Sequence, residues 1–265
     1  MEIIGYIASI AIGLSLGLIG GGGSILTVPV LVYFFGVSPV LATAYSLFIV
    51  GATSLVGVVP KYKEGFVSIK TTIVFGIPSI IAVFLTRKYL VPAIPENIGK
   101  IGGLEITKPM LVMLLFAALM LAASTSMIRS KKNGKEKAKS KQKFNYPLIL
   151  VEGVVVGTLT GLVGAGGGFL IIPALVMLSN LPMKKAIGTS LLIIALKSLI
   201  GFLGDLFQES QIIDWQLLLA VTALAIIGIF VGNKLSNKIE GEKLKKGFGW
   251  FVLVMGVYIF LKELL

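Results

Sequence analysis

Apolar runs near 20 residues recur from one end of this chain to the other, and no single motif constrains the fold as much. A helix of about 20 apolar residues spans the hydrocarbon core of a bilayer. Only structures that pair their own backbone groups survive there. Of the 265 residues, 56% are hydrophobic and 14% charged, against about a quarter charged in a soluble domain. The chain therefore reads as an all-α integral membrane protein. Its first residues lack a basic region and a small-x-small cleavage site, so they read as a first membrane helix and not a removed signal peptide. There is no histidine and no cysteine. Disulfides, thiolate catalysis, haem and the common zinc sites fall away, and no metal or other cofactor is expected.

The net charge of +12 invites a nucleic-acid reading, but its distribution argues against one. The stretch RSKKNGKEKAKSKQK, Arg129 to Lys143, holds eight bases and one acid, so it carries seven of the twelve net charges. Lysine-rich and without aromatics, it reads as a solvated cytoplasmic linker able to touch anionic lipid heads.

The chain also repeats itself. With a shift of 144, GLIGGGGSILTVPVLV from Gly17 lies over GLVGAGGGFLIIPALV from Gly161, and the match continues without a gap. From 17 to 57, 16 of 41 positions are identical, Pro29 over Pro173 and Ser46 over Ser190 among them. This divides the chain into a first transmembrane repeat (1–128), the basic linker (129–143) and a second repeat (144–265). Each repeat parses into five apolar elements, near 3–19, 24–36, 39–60, 69–90 and 109–128, then 147–163, 168–180, 184–204, 214–233 and 247–264. The second element of each is too short to cross a bilayer as a straight helix.

Lysine and arginine are retained on the cytoplasmic side. The linker, the 234–246 loop and Lys184–Lys185 read as inside, and the acidic 205–214 loop as outside. In the first half the signs reverse: the 61–70 loop, with three lysines, reads as inside and the uncharged 36–39 loop as outside. Five elements per half is odd, so tandem copies insert in opposite orientation. The expectation is two inverted halves, each with a glycine-interrupted short helix, in a multi-pass protein with both termini outside. The 91–108 loop fits least well, since it should be outside yet carries two lysines and two glutamates.

Transporters built from inverted repeats form their substrate site where interrupted helices meet near the midplane. Duplicated glycine runs followed by a short helix and a proline point to such a site. Close helix packing through small residues is the competing explanation. The duplicated G-x-x-G-x-G-G-G/S-x-x-x-x-P stretch, the A-x-x-x-S-L that follows it and the basic linker resemble the TauE/SafE family of sulfite exporter-like transporters. The resemblance covers nearly the whole chain. It implies a carrier in a prokaryotic plasma membrane that exports sulfite, an organosulfonate or a related sulfur-containing anion. Import of such anions, transport of another small organic anion, or a scaffold role are the alternatives. An enzyme is not expected, because no cluster of nucleophile, base or metal ligands is evident.

Helix N-termini and glycine backbones suit an oxyanion, since unpaired N–H groups and the helix dipole attract it. The candidate binding residues are Gly20, Gly21, Gly22, Gly23 and Ser24 in the first half. Gly164, Gly166, Gly167 and Gly168 match them in the second. Lys197 lies deep in an apolar run, where a charge is costly unless it faces a cavity or a partner. Ser190, seven residues earlier, shares its helical face, and Ser46 and Thr53 occupy the matching face of the first half. Lys197 is either part of an anion site or a side chain that snorkels to the headgroups. Glu152 and Asp205 are the acids nearest to spans. The expected partners are a small oxyanion and membrane lipids, with no nucleic acid. A homodimer is an open option.

Overall fold

The structure is a computed structural model that describes residues 2–21, 23–101, 104–129, 146–177, 181–206, 213–236 and 241–264. Gly22, all but the first residue of the basic linker and most of the 205–214 loop lie outside the described residues.

Ten apolar elements become helices. The first half contains α1 (Glu2–Ile19), α2 (Ser24–Phe35), α3 (Pro39–Lys63) and α4 (Ile69–Leu85). A π-helical turn (Thr86–Leu90) and a last turn, α5 (Val91–Ala93), extend α4. Strands β1 (Asn97–Ile101) and β2 (Leu104–Thr107) then lead into α6 (Lys108–Ile128). The second half contains α7 (Tyr146–Val163), α8 (Gly168–Met177), α9 (Met183–Leu206), α10 (Trp215–Ser236) and α11 (Gly241–Leu264). Local chemistry sets several boundaries. Pro39 opens α3 and Pro109 lies in the first turn of α6, where a missing N–H costs nothing. Ser68 and Thr107 cap α4 and α6 by accepting the N–H of Thr71 and Met110. Helix α11 begins six residues before the expected 247, drawing part of the basic 234–246 loop into its first turns.

Among the described residues, five helices are long and apolar enough to cross a membrane: Pro39–Lys63, Ile69–Ala93, Lys108–Thr125, Met183–Leu206 and Trp215–Ser236. Helix α2 with 12 residues and α8 with 10 reach only about 18 and 15 Å at 1.5 Å per residue. Ile73, Ile77, Ile81 and Leu85 form an exposed apolar stripe along α4, one face repeating every four residues. Lipid is the medium in which such a stripe is stable.

The 91–108 segment departs from the all-helical expectation. It contains a two-stranded antiparallel hairpin in which Lys100 stands opposite Glu105. Lys108 pairs with Glu96 at 3.5 Å at its base. One lysine and one glutamate of this segment are thus paired at the base of the hairpin.

Helix α3 packs on α9, and α6 on α11. Helix α1 packs on α10 as α7 packs on α4, and α3 packs on α10 as α9 packs on α4. Glycines permit these close crossings. Gly13 and Gly17 of α1 abut the α10 backbone, and Gly157 and Gly161 of α7 abut α4. Helix α9 starts beside the 61–70 loop, where Ser68 N–H donates to Thr189 Oγ1 at 2.9 Å. It ends beside Thr43, near the start of α3, through their shared partner Arg87. Helices α3 and α9 therefore run antiparallel, and the 61–70 loop and Asp205 lie at opposite ends of the molecule.

Candidate functional site

The two glycine runs meet. A Cβ built on Gly21 would stand 2.6 Å from the Cα of Gly168, and Gly166 lies against Ser24 and Val50. At Gly21 and Gly168 the contact is backbone on backbone, with no room for a side chain. The second run also needs glycine for its conformation: Gly164, Gly166 and Gly167 have φ of 68°, 61° and 68°, a region L side chains rarely enter. Several backbone donors at these breaks are already engaged. Ser24 N–H bonds Gly21 O, Leu26 N–H bonds Gly23 O, and Leu170 and Ile171 both bond Gly167 O.

One face of α3 and one of α9 flank the breaks with the same spacing. On α3, Thr43 abuts Gly164 and Val50 abuts Gly166. Ser46 and Thr53 continue that stripe at positions three and ten after Thr43, so they share its face. On α9, Ile187 abuts Gly20, Ile194 neighbours Gly166 and Lys197 abuts Gly167. Ser190 lies on that stripe and donates to Gly20 O at 2.7 Å.

Lys197 is the centre of interest. It is 0% exposed, so its side chain ends within the protein and does not reach a headgroup layer. Its Nζ donates to Thr160 Oγ1 at 3.0 Å and would lie 2.8 Å from a Cβ on Gly167. Among the described residues no carboxylate pairs with it. An ammonium has three N–H donors, and here one has a protein partner.

The hydroxyls divide into two groups. Ser24 Oγ donates to Gly21 O at 2.7 Å, and Ser190 Oγ is shared between Gly20 O and Ile187 O. Both brace the first glycine run from within, so their protons are engaged by the protein. Ser46, Thr53, Ser54 and Ser198 are fully buried, and their hydroxyls have no hydrogen-bond partner among the described residues. Ser46 is the repeat counterpart of Ser190, so the first glycine run is braced where the second is not.

A second cluster was not foreseen in the sequence. Asp205, read there as an outer-loop acid, lies inside α9 and is 2% exposed. Arg87, on the π-helical turn after α4, is 0% exposed. Its Nε donates to Asp205 Oδ1 and Oδ2 at 2.9 and 2.7 Å, and its Nη2 stands 2.7 Å from Oδ2. Its Nη1 donates to Thr43 Oγ1 at 2.9 Å and to Gly161 O at 3.2 Å. The only sequence signal was that both charges lie at the ends of apolar runs.

Among the described residues there is no group of histidine, cysteine, aspartate or glutamate that could hold a metal ion. The chemistry available is that of a buried cation, unpartnered hydroxyls and interrupted backbone, which suits reversible binding of a small anion.

Comparison with known proteins places the chain in a family. The family described as "Sulfite exporter TauE/SafE" matches residues 6–259. A protein of Xylella fastidiosa named "Probable membrane transporter protein" is 29% identical over 253 residues, covering 94% of this chain and 90% of that protein. Proteins similarly named are 27% identical in Methanocaldococcus jannaschii, covering 98% of this chain and 94% of that protein, and 28% identical in Bacillus subtilis, covering 88% and 90%. No solved structure matches the chain. With the family matched over nearly its whole length, the chain belongs to the TauE/SafE sulfite exporter family of membrane transporters.

Proposed function

We propose that this chain is an inverted-repeat carrier that exports sulfite, an organosulfonate or a related small sulfur-containing anion. The anion would sit beside the second glycine run, against Lys197 and Thr160, with the hydroxyls of Ser46 and Thr53 within the same enclosure. The observation that carries this reading is Lys197: a fully buried ammonium with a single neutral partner at the break that opens α8. A buried charge is costly unless paired, and an incoming anion supplies the missing partner.

Pairwise packing supports the inverted arrangement of a 1–128 repeat and a 144–265 repeat. Exchanging the halves turns the α1–α10 contact into α7–α4 and the α3–α10 contact into α9–α4. Gly20 abuts Ile187 as Gly164 abuts Thr43, and Gly57 abuts Ile229 as Gly201 abuts Val83. The antiparallel course of α3 and α9 supports opposite orientation of the copies. With basic loops retained on the cytoplasmic side, Lys61, Lys63 and Lys234 lie inside, Asp205 lies outside, and both termini lie outside a prokaryotic plasma membrane. Lipid and the anion are the partners this reading requires. A homodimer would be recognised by its mass in detergent.

Calorimetry on the purified protein with sulfite, sulfate, a short organosulfonate and a neutral sulfoxide tests the site. Saturable binding of a sulfur oxyanion that is lost in Lys197→Met supports it, and equal binding by both proteins overturns it. Counterflow in proteoliposomes of known orientation decides direction.

A further inference from the structure

Arg87 joins the two halves at one end of the molecule. Its guanidinium binds Asp205 of α9 through a two-pronged contact and adds Thr43 of α3 and the Gly161 carbonyl of α7. Three helices thus converge on one side chain carried by the π turn that extends a fourth. The whole cluster is buried, with Arg87 at 0% and Asp205 at 2% exposure.

The cluster is built into the second glycine run. Gly161, which accepts from Arg87, directly follows Thr160, which accepts from Lys197. Thr43, which also accepts from Arg87, is the residue on which Gly164 rests, while Gly167 at the far end of the run lies against Lys197. The run therefore stretches from the Arg87 cluster to the Lys197 ammonium. At the opposite end of the α3–α9 pair, polar contacts between α3 and α10 stand in the corresponding place. There Asn233 Nδ2 donates to Gly57 O at 3.2 Å and Lys61 Nζ approaches Ser236 Oγ at 3.5 Å.

We infer that the Arg87–Asp205 pair is the gate of the anion site at this end, the contact that parts when solvent reaches the second glycine run. This rests on the site proposed at Lys197. Matched charges suit a contact that must open: each group regains hydration when separated, whereas apolar packing offers no such compensation. The π turn fits the same role, because such turns interrupt regular helix bonding and occur often at functional places.

The chain has no cysteine, so a single one can report access. Ala165, 1% exposed between Gly164 and Gly166, is replaced by cysteine. The purified protein in detergent, with no anion substrate present, is then treated with a charged methanethiosulfonate. The A165C protein should react slowly. Adding Arg87→Gln and Asp205→Asn together removes both charges without stranding either, and should speed labelling at least tenfold in protein that remains monodisperse. Labelling within twofold of A165C would make the pair a structural tie and overturn the gate. So would an A165C protein that already reacts as fast as a free thiol. If the double variant does not fold, Arg87→Lys replaces it, keeping the charge and losing the fork. Labelling at least threefold faster supports the gate, and an unchanged rate overturns it. Because no substrate is used, a flat result leaves Lys197 binding data standing, and failed sulfite binding leaves the labelling result readable.

Discussion

The ammonium of Lys197 donates to the hydroxyl of Thr160 at 3.0 Å, joining α9 to the last turn of α7 just before the chain breaks at Gly164. This bond holds the cation against the glycine backbone and leaves most of its hydrogen-bonding capacity for something that the described residues do not supply. If that something is an anion, the two residues should respond differently to substitution.

Lys197→Met removes the cation and keeps most of the side-chain volume. A hydrogen bond to a charged group is worth about 1.5–3 kcal/mol, so sulfite binding should weaken roughly 10- to 150-fold. Isothermal titration with sulfite on both proteins reads this directly. Equal affinities would place the substrate elsewhere.

Thr160→Val keeps the shape and strands the Lys197 ammonium. The folded protein should lose about 1–3 kcal/mol, seen as a lower melting temperature without ligand. Saturating sulfite should recover part of the loss, because the anion replaces the missing acceptor. An unchanged melting temperature would show that the 3.0 Å bond contributes nothing.

Gly168→Ala tests the contact between the two glycine runs. The added methyl would overlap the Gly21 backbone, and forced overpacking costs about 1–3 kcal/mol. Gly247→Ala in α11 is the control, since nothing lies within 4 Å of its Cβ. There the helix should gain up to about 1 kcal/mol. A thermal ramp on the two variants should move in opposite directions. Valine at Gly166 is a poor probe of binding, because its φ of 61° strains any side chain before an anion arrives.

Arg87→Met should be far more damaging than Arg87→Met combined with Asp205→Leu. The single change leaves a buried carboxylate without its guanidinium, a loss of about 3–5 kcal/mol. The double change removes both charges and should restore most of the stability. Melting curves of the two variants compare them, and similar losses would contradict the pairing.

Glu64→Cys and Gln216→Cys test the orientation of the halves. Both residues are exposed, one after α3 and the other at the start of α10. An impermeant thiol reagent should reach Gln216→Cys from outside intact cells and Glu64→Cys only after the membrane is opened. Labelling of both from the same side would refute the inverted insertion.

Much of this protein was decided locally and so could be read from the chain alone. Hydropathy over 10–25 residues placed ten helices, because membrane burial depends on each segment's own composition. Glycine and proline placed the breaks, because those residues act on their own backbone. The depth of Lys197 in an apolar run marked it for the same reason. What the tertiary structure alone decided is which groups answer one another. Ser24 and Ser190, candidate ligand contacts by their place in the sequence, donate their hydroxyls to carbonyls of the first glycine run. Asp205 looked like a solvated acid and instead lies inside α9, bonded to a residue 118 positions away. Nothing near Asp205 in sequence announces Arg87, because the partner of a buried charge is set by which helices cross and at what height. Those crossings are settled only when the two halves pack together.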